Sequence, residues 1–224
     1  MIKAIVTDIE GTTSSIDFVH QSLFPYAKTH LRAYLHAHMS AAAVREALAE
    51  VAQLEQRALS LEQAADVLER WIDEDRKATP LKSLQGLIWA QGYAAGELKG
   101  HVYSDTSVYL RRWHAQGLKL YVYSSGSVAA QKLIFGHSDA GDLTPLFSGY
   151  FDTRVGGKRE AVSYHAIRQA IELPGEAVLF LSDIAEELDA ARAADFKTCQ
   201  LLRDARAKPS PDHPQAKDFS EVPI

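Results

Sequence analysis

Four clusters along the chain carry residue types that do chemistry, and three of them stand where an apolar run stops. The first is Asp8-Ile9-Glu10-Gly11-Thr12-Thr13, directly behind Ile2, Ala4, Ile5 and Val6. If the backbone stays extended, Asp8 and Glu10 project to the same side. Gly11 then lets the chain turn sharply beyond them. The second is Ser124-Ser125-Gly126-Ser127, behind Leu118-Lys119-Leu120-Tyr121-Val122-Tyr123. The third is Lys158 behind Gly156-Gly157, at a helix start where backbone N–H groups form an anion nest. The fourth is Ser182-Asp183 with Glu186 and Glu187, behind Ala177-Val178-Leu179-Phe180-Leu181.

This inventory suits a phosphate monoester and a hard cation. Mg²⁺ takes oxygen ligands, commonly one or two carboxylates with substrate phosphate and water. Asp8 and Asp183 are such carboxylates. Ser124 or Ser125, with the N–H groups beside them, can hold non-bridging phosphate oxygens, and Lys158 can neutralise charge on the transferring group. Asp8 is then free to attack phosphorus and form an aspartyl phosphate. Glu10 can protonate the leaving oxygen and afterwards activate water. Single members also have plainer readings. Ser125-Gly126 serves equally as a turn with a helix cap. Glu186 and Glu187 fall in a first helical turn, where the dipole favours acids regardless of function. The joint occurrence, in this order, is what points to phosphoryl chemistry.

The elements that must position these clusters follow from hydrophobic periodicity. From Phe18 to about Gly96 the chain is helical in character, with apolar residues at helical spacing and almost no β-branched runs. Pro25 marks a kink or the first turn of a new helix. A second helix is predicted from about Ala41 to Leu59. Ser60 and Gln63 form a capping box for a third, and Thr79-Pro80 read as the cap and first position of a fourth. Strands and helices alternate after that. Ser104-Asp105 cap a helix ended by Gly117; strands follow near 118–123, 147–153, 177–181 and 198–202, with helices between them. The stretch from Ala205 to Lys217, rich in Pro, Asp and Lys, reads as a surface tail. One strand, a helical insert and then alternation describe an α/β fold with a mostly parallel sheet. In such a sheet the clusters converge at the carboxyl ends of the strands.

Composition narrows the classes further. The chain has 224 residues, 46% hydrophobic and 24% charged, with a formal net charge of −5. No Lys/Arg block stands out, so no nucleic-acid partner is expected. No apolar run approaches the roughly 18 residues that span a bilayer, so no membrane partner is expected. A leader-like apolar region is also missing, and a cytoplasmic protein is expected. Cys199 is the single cysteine, in a probable strand, where a buried small hydrophobe is the plainer reading. The His residues show no metal-ligand spacing.

The order Asp8-x-Glu10-Gly11-Thr12, then Ser124 or Ser125, then Lys158, then Ser182-Asp183-x-x-x-Glu187 resembles the four motifs of the haloacid dehalogenase superfamily. Glu10 stands where most phosphatases of that superfamily have a second Asp. With Leu23-Phe24-Pro25-Tyr26 and Tyr123-Ser124-Ser125-Gly126-Ser127, the set resembles the enolase-phosphatase family of methionine salvage. The resemblance implies a Rossmann-like core of residues 1–14 and 101–224, with an all-helical cap over 15–100. It implies Asp8, Glu10 and Lys158 as catalytic residues, and Ser124, Ser125 and Lys158 as phosphate-binding residues. It implies one Mg²⁺ per subunit held by Asp8, Asp183 and the backbone carbonyl of Glu10. The implied substrate is the small phosphorylated molecule 2,3-diketo-5-methylthiopentyl 1-phosphate, enolised and then dephosphorylated by what is expected to be a monomer. Phe18, His20, Phe24 and Tyr26 are candidates to face the methylthio tail, or else to pack the cap's own core. A general sugar-phosphate phosphatase and an Asp-phosphorylated signalling module are the rival readings, the latter disfavoured by the helical insert.

Overall fold

The structure is a computed structural model that describes residues 1–204 and 206–224. In chain order, β1 (Ala4–Thr7) is followed by a single helical turn α1 (Ile16–Phe18). Four helices come next: α2 (Phe24–His38), α3 (Ala42–Leu54), α4 (Leu61–Asp73) and α5 (Thr79–Ala94). The alternating part contains α6 (Ser104–Ala115), β2 (Lys119–Tyr123), α7 (Val128–Gly136) and β3 (Phe147–Phe151). It continues with α8 (Ala161–Ile171), β4 (Val178–Ser182), α9 (Ala185–Ala193), β5 (Lys197–Leu201) and β6 (Gln215–Ala216).

The chain divides into two compact units, Met1–Ile16 with Lys99–Ile224, and Asp17–Leu98. The first is built on a six-stranded sheet in the order β3-β2-β1-β4-β5-β6. Every pairing is parallel. This is the doubly wound Rossmann order, and the direction of winding reverses between β1 and β4, where a crevice opens beyond the strand ends. The expected α/β class and parallel sheet are thus observed. All four residues of β1 and all five of β4 are buried, as near-continuous apolar strands with both faces covered must be. Ala4, Val6, Val178 and Phe180 share one face and pack with Tyr164 and Ile167 of α8 and Leu188 and Ala191 of α9. Ile5 and Leu179, also buried, point to the opposite face. Thr7 lies level with Leu181, so Asp8 and Ser182 leave the sheet side by side.

The second unit is all helical. Leu31 and Leu35 of α2, Val44 and Val51 of α3, Leu68 of α4 and Leu84 of α5 meet in one apolar core. The predicted capping box is present: Ser60 Oγ accepts from Gln63 N at 3.2 Å and Gln63 Oε1 accepts from Ser60 N at 2.9 Å. Pro25 falls in the first turn of α2, directly after a π turn over Val19–Leu23. Three boundaries differ from the sequence reading. α3 stops at Leu54 rather than near Leu59, because Glu55-Gln56-Arg57 offers no apolar contact and Gln56 takes a φ of 54°. The cap positions of α5 and α6 are Ala78 and Tyr103, one residue earlier than expected. The stretch read as a surface tail is partly built in: β6 adds to the sheet edge, and His213 and Ala216 are buried at 4% and 2% exposure. Ala205 lies outside the described residues. A two-residue strand among polar neighbours leaves no periodic trace to read.

Candidate active site

β1 ends at Thr7, and the chain bends at Ile9 into a tight turn. The N–H groups of Thr12, Thr13 and Ser14 all donate to the Ile9 carbonyl, at 3.1, 3.0 and 2.9 Å. Thr13 Oγ1 donates to the Asp8 carbonyl at 3.2 Å, and Asp8 N donates across to Leu181 O at 2.9 Å. The backbone of Asp8 is therefore held from both directions. Gly11 sits at φ +75°, and a Cβ there would lie 2.5 Å from Asp183 Oδ2. Only glycine permits both that backbone and that approach.

Lys158 Nζ lies 2.6 Å from Asp8 Oδ1 and 2.7 Å from Glu187 Oε2, with each side chain about nine-tenths buried. Ser182 Oγ donates to the same Glu187 oxygen at 2.8 Å. Burial works against the Lys158 charge, but Asp8 and Glu187 together outweigh it and hold the ammonium protonated well above its ordinary range. Burial raises Glu187 above the usual carboxylate range, and the nearby Asp8 charge raises it further. Asp183, at the end of β4, is pushed up to about 7 by burial, with the charge of Asp8 as the second cause. Its Oδ1 is buried without a hydrogen-bond partner.

The loop carrying Lys158 is fixed through its carbonyls. Tyr123 OH donates to Gly156 O at 3.0 Å, Ser163 Oγ to Gly157 O at 2.7 Å and Tyr164 OH to Lys158 O at 2.7 Å. Gly156 is at φ +126°, where a Cβ would strike Ser163 Oγ. In the serine cluster, buried Ser124 accepts from Gly126 N at 3.2 Å, which leaves its hydroxyl proton to donate elsewhere, whereas Ser125 is exposed. Ser127 caps α7 through Ala130 N, and Asp152 accepts from Val128 N, so this turn ends on an ordered helix N-terminus.

Lys158 thus bridges Asp8 and Glu187, with Asp183 against Gly11 beside them. Of the two glutamates after Asp183, Glu187 points inward and Glu186 is exposed. Glu187 stands in the sequence reading beside Glu186, without an assigned role, and Tyr123, Ser163 and Tyr164 are not among its candidates for the site. The spacing Ser182–Glu187 was a usable sign for the first; the other three act on carbonyls of a neighbouring loop and have no sequence signature. Gln200 belongs with them. Its Nε2 donates to the carbonyls of Asp183 and Lys208, both at 2.9 Å, and its Oε1 accepts from Ser210 N at 2.8 Å.

A buried carboxylate oxygen without a partner, next to a second carboxylate, is a donor set suited to a hard cation. Among the described residues no group of three or more His, Cys, Asp or Glu forms a ready cage.

The family model for haloacid dehalogenase-like hydrolases matches residues 2–195. The chain belongs to the haloacid dehalogenase-like hydrolases. Among curated relatives of this hydrolase, the "Enolase-phosphatase E1" of Serratia proteamaculans is 56% identical over 225 residues, covering 100% of this chain and 98% of the relative. The protein of the same name from Hahella chejuensis is 54% identical, covering 100% and 96%. Among solved structures, the UTR4 protein of Saccharomyces cerevisiae superposes with a TM-score of 0.82 at 33% identity, covering 99% of this chain and 100% of that one. Within the hydrolase family the chain therefore falls with the enolase-phosphatases. Among the described residues no helix is long and apolar enough to cross a membrane.

Proposed function

We propose that this hydrolase is a Mg²⁺-dependent enolase-phosphatase of methionine salvage. It takes 2,3-diketo-5-methylthiopentyl 1-phosphate, enolises it and hydrolyses the phosphate to release an acireductone. The observation that carries this reading is the buried contact of Asp8 with Lys158 at the end of β1, in a chain 56% identical to the Serratia enolase-phosphatase over its full length.

Asp8 is the nucleophile. Lys158 pairs with one of its oxygens, and the turn beneath it fixes its direction, so the carboxylate is presented to phosphorus without reorganisation. As the Asp8 Oδ–P bond forms, the bond from phosphorus to the C1 oxygen breaks, and Glu10 delivers a proton to that oxygen. Glu10 then takes a proton from water, whose oxygen attacks phosphorus and frees Asp8 and inorganic phosphate. Ser124, Ser125 and Lys158 hold the non-bridging oxygens, and Lys158 balances the charge that develops on them. Asp8, Asp183 and the Glu10 carbonyl would hold Mg²⁺, which when bound neutralises phosphate charge and orients the group for attack. Glu187 keeps Lys158 from leaving Asp8, and Ser182 orients Glu187.

Enolisation needs a base that reaches carbon, beyond the leaving oxygen, and Glu is one methylene longer than Asp. Glu10 is assigned this proton transfer as well. The helical unit is assigned the role of a substrate-selecting cap. Within that unit Phe24 stacks on Trp89 and Tyr26 on His30, while Tyr26 OH donates to Glu97 at 2.6 Å, so both aromatics are engaged in its own packing.

Steady-state rates on the diketone 1-phosphate and on a panel of sugar phosphates test the reading. The expected result is a preference of at least about 100-fold in kcat/KM for the diketone, a difference of roughly 3 kcal/mol in transition-state binding. Equal rates across the panel would point to a general phosphatase. Glu10→Asp is expected to slow enolisation more than dephosphorylation, and unchanged rates in both steps would remove Glu10 from the first.

A further inference from the structure

β5 ends without a residue assigned to the reaction, yet the nucleophile turn is tied to the segment just beyond it. We infer that Arg203 is a positioning residue for Asp8, acting through the carbonyl of Thr12; this rests on the reading of Asp8 as the nucleophile.

The Arg203 side chain is 5% exposed. Its Nη1 lies 2.8 Å from both carboxylate oxygens of Asp105, and its Nη2 donates to Thr106 Oγ1 at 3.3 Å. The guanidinium is also packed against two rings, with its central carbon 4.5 Å from the centroid of Tyr103 and 4.8 Å from that of Phe219. Asp105 Oδ2 is itself fixed, because it accepts from Phe219 N at 2.9 Å. The guanidinium is thus immobilised on its edge and by the rings around it. The donor left over, Nε, points at the Thr12 carbonyl at 3.0 Å.

That carbonyl belongs to the peptide whose other end is the Thr13 N–H, donating to Ile9 O at 3.0 Å. The peptide plane is therefore held at both ends. Thr13 Oγ1 in turn holds the Asp8 carbonyl. Releasing the Thr12 carbonyl loosens the Thr12–Thr13 peptide, which links the turn at Gly11, φ +75°, to the hydroxyl that supports the nucleophile. The Asp105 pairing alone does not require arginine. Donating from Nε to Thr12 while Nη1 holds Asp105 does, because an ammonium offers one compact charge and no second nitrogen.

The test compares Arg203→Lys, Arg203→Ala and Asp105→Asn with the wild type in rapid-quench mixing with the diketone 1-phosphate and Mg²⁺. Phosphate on Asp8 is read by mass, alongside KM and thermal midpoint. Arg203→Lys is expected to slow phosphorylation of Asp8 about 100-fold, as a misplacement of about 1 Å does. KM is expected to stay within about threefold, since ground-state binding is untouched. Asp105→Asn keeps Nε on Thr12, so it is expected to lose thermal stability yet phosphorylate within about threefold of wild type. Arg203 lines a pocket of about 400 Å³ that also touches Gly11 and Asp183, so added guanidinium ion can enter. It is expected to restore part of the rate in Arg203→Ala. Wild-type phosphorylation in Arg203→Lys would overturn the inference. So would an equal loss of rate in Asp105→Asn, which would mark both residues as structural. A wild type that never carries phosphate on Asp8 would overturn the nucleophile reading, and the inference with it.

Discussion

Lys158 is a buried cation shared by two buried carboxylates, and its replacement separates its electrostatic work from its packing. Lys158→Met keeps most of the aliphatic volume but leaves Asp8 and Glu187 facing each other without a counter-charge. Breaking a buried ion pair from one side costs about 3–5 kcal/mol. In a chain of this size that corresponds to a fall of about 6–20 °C in thermal midpoint. Phosphatase turnover is expected to drop at least about 1,000-fold, because the same substitution removes the charge proposed to balance the transferring phosphoryl group. A calorimetric scan and a turnover assay on one preparation check both, and a midpoint within a degree of wild type would contradict the account of this triad. Asp8, Lys158 and Asp183 were legible in the sequence because acids, a lysine behind two glycines and strand ends have recognisable spacing. Glu187 was legible only as one of two adjacent glutamates. The buried Ser182–Glu187 contact separates it from Glu186, and burial is a property of the folded sheet.

Among the elements, β5 repays closer attention than its sequence suggested. It reads as a short strand with a lone cysteine, yet Gln200 holds the Asp183 carbonyl and Arg203 follows at its end. Neither residue has a motif, because each acts on the backbone of a segment distant in sequence. Cys199 itself is fully buried, as expected of a small hydrophobe there. Burial, with a smaller push from the Glu221 charge, raises its thiol to about 11. The folded state therefore holds the proton more tightly than the unfolded chain does. Its contribution to stability is whole below about pH 9 and is lost as pH rises toward 11. The thermal midpoint is expected to fall across that interval, and the fall to be smaller in Cys199→Ala. At pH 8 a disulfide reagent is expected to label the native thiol at least about 100-fold more slowly than the unfolded one. Equal labelling rates would contradict the burial. The helices were read more securely than the last strand. The Ser60–Gln63 cap and the apolar stripes are local signals, whereas β6 exists only because β5 offers it an edge.

The molecule places its chemistry by winding. Parallel strands in the order β3-β2-β1-β4-β5-β6 bring the ends of β1 and β4 together at the reversal point. Residues 8 and 183 thereby become neighbours, although they stand 175 positions apart along the chain, because Thr7 and Leu181 before them lie on one level. The alternation of strands and helices foretold a parallel sheet and its functional edge, but not which strands adjoin, and that order is what selects Asp183 as the neighbour of Gly11. The central claim is that Asp8 becomes covalently phosphorylated. Rapid quenching of enzyme mixed with the diketone 1-phosphate and Mg²⁺, followed by peptide mass analysis, measures this directly. The account predicts a transient phosphate on the peptide containing Asp8, decaying as inorganic phosphate appears, and no such species in Asp8→Asn. Turnover at the wild-type rate without that adduct, or an adduct that survives Asp8→Asn, would contradict it.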